Sequence, residues 1–175
     1  MPKKVSYTQM EKNFWALPRK KQETFLKNLY SLSPITKDMY DIWLADGEET
    51  VLQRLLLQVE KETIKKIGRS RKIKVSNLNT IIKNAKAYPL SNMAVIQIYY
   101  AICVNMLEFI YNVKWIATRY QKSCSTYIEY YFHHLQDISE ISEREKKKDE
   151  MKNILKTYLL EGMYAPDIEI LYDDL

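Results

Sequence analysis

Only three glycines and five prolines interrupt 175 residues. Between them the apolar residues recur at three- and four-residue spacing. That period places them on one face of an α-helix, so the chain is expected to be all-α. The same scarcity removes the glycine-rich loops on which phosphate and cofactor sites depend, and no cofactor is expected. No window argues for a sheet. The alternation Lys72-Ile73-Lys74-Val75 is too short to compete with the helical pattern.

The helix boundaries are legible as caps and breakers. Residues 1–16 read as a polar N-terminal extension, loose over its first dozen residues, with Phe14 and Trp15 docking on the domain. Pro18 opens the first helix, with Phe25, Leu26, Leu29 and Tyr30 facing inward. Ser33-Pro34 starts a second, carrying Ile35, Met39, Ile42 and Trp43, which Asp46-Gly47 ends. A third runs from about Glu48 to Ile67, striped by Leu52, Leu55, Leu56, Val59, Thr63 and Ile67 and stopped by Gly68. Ser76 caps a fourth bearing Leu78, Ile81, Ile82 and Ala85, and Tyr88-Pro89 breaks it.

Ser91 begins a fifth helix reaching toward Arg119. It is apolar on every side, which requires burial all round. A sixth spans roughly Ser125–Ile138, with Ile128, Tyr131, Phe132 and Leu135 inward. Ser142-Glu143-Arg144-Glu145 matches a capping box for the last, whose face is Met151, Ile154, Leu155, Tyr158 and Leu159 and whose stop is Gly162. The expected architecture is one helical domain, residues 17–164, of about seven helices. They form antiparallel hairpins around a central buried helix, as a bundle or a HEAT- or armadillo-like array. The tail, residues 165–175, is acidic yet apolar enough to pack on the domain.

The opening hairpin carries Leu17-Pro18, Phe25-Leu26, Leu29-Tyr30, Ser33-Pro34 and Trp43-Leu44. Over residues 17–44 this pattern resembles that of a family of small uncharacterised bacterial all-helical proteins. The resemblance implies a helical fold and no particular activity.

Net charge is +5 and lysine greatly outnumbers arginine. Arginine supplies the bidentate fork for phosphates and base edges, so this balance disfavours specific nucleic-acid readout. The densest cationic stretch is Lys61, Lys65, Lys66, Arg69, Arg71, Lys72 and Lys74, followed by Lys83 and Lys86. It offers a polyanion contact through charge alone. It also reads as a solvated helix end stabilised by the macrodipole, and no aromatic is interleaved to stack on bases.

His133 and His134 are the only histidines. Glu129, His133 and Asp137 step by four and share a helical face, as do His134 and Asp137 at a spacing of three. Either grouping is a candidate metal site or an imidazole with its orienting carboxylate. Tyr127, Tyr130 and Tyr131, with Tyr120 and Phe132 nearby, suggest an interface or a tyrosine-rich core.

Cys103 reads as a buried small hydrophobe. Cys124, near an expected helix start, is the candidate for reactivity. No C-x-x-C, G-x-S-x-G, D-x-D or H-E-x-x-H occurs. The apolar run Met93–Leu107 is shorter than a bilayer span of ~20 residues, and no signal peptide is read at the N-terminus. The expectation is a cytoplasmic interaction or scaffold protein without catalytic activity. Its partner would be another protein or a second copy of itself, with no membrane contact. A nucleic-acid-associated protein using residues 61–86 and a metal-dependent enzyme around His133 stand as alternatives.

Overall fold

A computed structural model describes residues 6–45, 47–64, 72–113, 118–163 and 165–173. Among these residues nine helices form and no strand does. They are α1 (Tyr7–Trp15), α2 (Arg19–Leu32), α3 (Pro34–Leu44), α4 (Glu48–Glu62), α5 (Val75–Ala87), α6 (Asn92–Val113), α7 (Thr118–Leu135), α8 (Ile141–Leu160) and α9 (Pro166–Asp173). The all-α expectation holds.

The two helices beyond the expected seven come from the terminal segments. At α1 the Ser6 side chain accepts from the Gln9 amide at 3.3 Å, and no glycine or proline interrupts the nine residues that follow. At α9 Pro166 occupies the first turn, and Ile168 is buried beside Ala165.

α6 is the axis of the fold. It packs most extensively on α7 and also meets α4, α5 and α8. Ile96, Ile98, Tyr99, Ile102, Cys103 and Met106, among others, disappear inside. In a linear repeat array each unit touches only its neighbours. Here α6 touches α4, α5, α7 and α8, and α9 touches α7, so each of these contacts joins helices one or two places apart in the chain and fits stacked hairpins as well as a bundle. At 22 residues α6 is itself long and apolar enough to cross a bilayer, which corrects the expectation drawn from Met93–Leu107 alone. Just over half of that stretch is buried against its neighbours.

Several boundaries moved for visible reasons. α6 is helical to Val113, residues 114–117 of its expected reach lie outside the described residues, and α7 is already helical from Thr118, seven residues before the expected start. α5 begins at Val75 because the Asn77 and Leu78 amides bond the Lys74 carbonyl, so Ser76 does not cap it. The capping box at Ser142 does not form. α8 starts at Ile141, the Arg144 amide bonds the Glu140 carbonyl, and the Ser142 hydroxyl donates instead to Glu140 Oε1 at 2.7 Å.

Other caps and stops act where their residues stand. Ser33 accepts from the Thr36 amide, and Ser91 from the Ala94 amide at 3.2 Å. Gly162 takes φ 87° where α8 stops, a left-handed conformation that costs a side-chain-bearing residue ~1–2 kcal/mol. Ile67 and Gly68 lie outside the described residues.

A polar knot fastens the N-terminal helices to the body. Arg54 of α4 donates through both guanidinium nitrogens to Asp38 of α3, at 2.9 and 2.5 Å. The Tyr88 hydroxyl at the end of α5 donates to the same carboxylate at 2.8 Å. Burial and this bond to Asp38 push the Tyr88 pKa up to about 12. Asp38 and Ile42 are the only buried residues of α3.

Candidate interaction surface

The residues singled out in the sequence do not converge on one centre. Of the basic stretch, Lys65, Lys66, Arg69 and Arg71 lie outside the described residues. Lys72 and Lys74 are exposed, the latter at the N-cap of α5. Lys61 lines a groove of ≈ 320 Å³ between α4 and α5 with Gln58, Asn77 and Thr80, but Glu62 lines it too. A carboxylate in the wall opposes a polyanion. Lys86 is engaged elsewhere: its Nζ stands 5.9 Å from the Tyr99 ring centre and 5.6 Å from that of Tyr130.

Glu129, His133 and Asp137 are not assembled into a metal site. Among the described residues no three His, Cys, Asp or Glu side chains lie where they could share an ion. Glu129 lines a different groove. Asp137 falls in the turn after α7 and stands beside His134, 3.9 Å from its Nδ1 and too far for a hydrogen bond. The His134 ring stacks on Tyr99 at 5.3 Å and 26°. Burial, then the nearby Lys86 charge, hold its pKa below the ordinary histidine value, against a weaker pull from Asp137.

The tyrosine cluster divides. Tyr127 and Tyr131 are buried, which removes them from any free surface. Their hydroxyls donate to Asn79 Oδ1 at 2.7 Å and to the Lys147 carbonyl at 3.0 Å. Burial raises both phenol pKa values. Tyr130 alone of the three is exposed, beneath Lys86.

Cys124 is likewise corrected. It lies inside α7, fully buried like Cys103, and burial raises both thiol pKa values. Reactivity needs an exposed thiolate, and neither thiol offers one.

A different surface emerges where the sequence had placed core. α1 and α2 bury no residue at all. Of the four positions expected to face inward from α2, only Leu29 is half-buried. Phe25, Leu26 and Tyr30 are exposed. Trp15 is 68% exposed, Leu32 72%, Trp43 63% and Leu44 78%.

The arm is ordered by its own contacts. Gln22 donates to the carbonyls of Phe14 and Leu17 at 3.2 and 2.9 Å. Phe14 sits 5.4 Å from Phe25, and Tyr30 sits 5.9 Å from Tyr40. α2 packs on α3, and α3 in turn on α4. The outcome is a folded projection with its apolar stripe turned outward. Amphipathic spacing was the available signal. It marks a face that demands a partner without saying whether the partner is the same fold or another molecule.

No family model matches the chain, and no curated protein or solved structure matches it.

Proposed function

We propose that this chain is a non-enzymatic interaction protein whose docking element is the α1–α3 arm. The observation that carries this reading is the uncovered apolar face of α2 and α3, with Leu32, Trp43 and Leu44 all more than half exposed. Isolated exposed hydrophobics are ordinary. Several large exposed apolar side chains, two of them tryptophans, on one self-ordered arm are the composition that docking surfaces favour.

Burying Trp15, Leu32, Trp43 and Leu44 would contribute ~1.5–3 kcal/mol each, or ~6–12 kcal/mol together. The cost of bringing two molecules together is ~4–15 kcal/mol. Apolar contact alone therefore supports only a weak complex, and a lasting one needs polar or charged contacts beside it.

The test is site-specific photo-crosslinking in cells that make the protein. A photo-reactive residue at Leu32 or Trp43 should yield discrete adducts, while one at exposed Gln136 or Lys146 should yield none. Equal labelling at all four positions, or none from the arm, would end the proposal.

A further inference from the structure

The arm carries charge as well as apolar area. Residues 1–32 hold seven cations and two acids, a net charge of +5, so the remainder of the chain is neutral overall. The opposite end of the sequence is its complement, with residues 157–175 holding five acids and no cation.

The cations frame the apolar stripe of α2. Lys21 stands one turn before Phe25, and Lys27 lies three residues before Tyr30. Lys20, Lys21 and Lys27 are all exposed. At the acidic end, α9 and α7 bound an open groove of ≈ 600 Å³ lined by Glu129, Asp167, Ile170 and Leu171, with Lys122 the one cation in its wall. Glu169 and Asp173 are exposed on α9. Ile170 is 64% exposed, and Leu160, at the end of α8, is 78% exposed. Ser125 and Thr126 complete a mostly polar wall, in which the carboxylates of Glu129 and Asp167 flank Ile170 and Leu171; carboxylates beside exposed apolar side chains are the counterpart of an apolar helix edged by lysines. Within one molecule these surfaces are engaged elsewhere: α2 packs on α3, and α9 on α7 and α8.

We propose that α2 of one copy docks in the α7–α9 groove of a second copy, and that the second copy returns the contact to close a two-fold dimer. This rests on reading the arm as the docking element. It supplies the charged contacts that the apolar bookkeeping calls for. Opposite net charges of five would also steer encounter, in a salt-dependent way.

Sedimentation or light-scattering mass on the whole protein tests this with a charge swap. One variant carries Lys20→Glu, Lys21→Glu and Lys27→Glu. The other carries Asp167→Lys, Glu169→Lys and Asp173→Lys. Wild type should run at twice 20.9 kDa and each variant alone at the monomer mass. A mixture of the two should recover the doubled mass, because each variant then meets its complement.

A monomeric wild type at every concentration and salt overturns the proposal, as does a dimer that neither variant disturbs. Circular dichroism of each variant confirms folding, and recovery on mixing cannot come from unfolded chains. If arm crosslinks form in cells but lead to a different protein, the docking reading stands and this occupant is wrong. If the arm gives no crosslinks at all, both fail.

Discussion

Replacing Asp38 with alanine should loosen the attachment of the arm to the body while leaving the core around α6 closed. The Asp38 side chain is only 9% exposed, and it accepts three hydrogen bonds from two other helical segments. Arg54 is 45% exposed, so after solvent screening its pairing is worth ~1 kcal/mol. The Tyr88 bond to an ionised acceptor is worth ~1.5 kcal/mol. Together they set an expected loss of ~2–3 kcal/mol, or a fall of roughly 8 °C in Tm for a protein of this size.

Urea unfolding followed by circular dichroism measures the global figure. Hydrogen exchange supplies the local one: α2 and α3 should lose protection and α6 should keep it. Asp38→Asn retains the shape and one acceptor, and should lose about half as much. A change below ~0.5 kcal/mol, or protection lost evenly across α3 and α6, would refute the idea that this carboxylate fastens one to the other.

Three further outcomes follow from the same geometry. Gly47→Ala should destabilise by ~1–3 kcal/mol, because its Cβ would sit 2.9 Å from the Asp41 carbonyl oxygen. Gly162→Ala, with open space around it but φ +87°, should lose only ~1 kcal/mol; thermal melts of the pair would expose a misassigned cause if the order reversed. A colorimetric thiol titration should find Cys103 and Cys124 silent in the native protein and both reactive in denaturant, since burial raises both thiol pKa values; rapid native labelling of either would contradict it.

The remaining outcome concerns pH. The His134 pKa is lowered on folding by burial and Lys86, against Asp137. The unfolded chain therefore binds the extra proton first as pH falls through ~6.5, and stability drops from there toward the native value. His134→Phe keeps a ring against Tyr99 and should flatten that slope by up to ~1.4 kcal/mol per pH unit. An unchanged slope would place the pH sensitivity elsewhere.

How far the sequence revealed this molecule depended on whether local chemistry and tertiary packing agreed. Ser33-Pro34, Ser91 and Gly162 act within a few residues of themselves, so their signals survived folding. The burial of α6 was written into its all-round apolar composition. Ser142-Glu145 had the right letters, yet Glu140 captured the serine hydroxyl first.

Phe25, Leu26 and Tyr30 mark the sharper limit. Periodicity identifies an apolar face, while the element that covers it is decided by long-range packing. Here, among the described residues, Phe14 of α1 and Tyr40 of α3 cover it only in part, and Phe25, Leu26 and Tyr30 stay exposed. Of the tyrosines that suggest an interface, Tyr130 stays exposed while two are buried. Tyr127 and Tyr131 found hydroxyl acceptors at the edge of the core, which let them be buried at little cost.

That α1 and α2 bury no residue has an evolutionary consequence. Substitutions on α1 and α2 should hardly touch whether the protein folds, because neither helix places a buried residue in the α6-centred core. Selection can therefore rewrite this outer surface one residue at a time. The stability margin that constrains change elsewhere in the molecule is left intact.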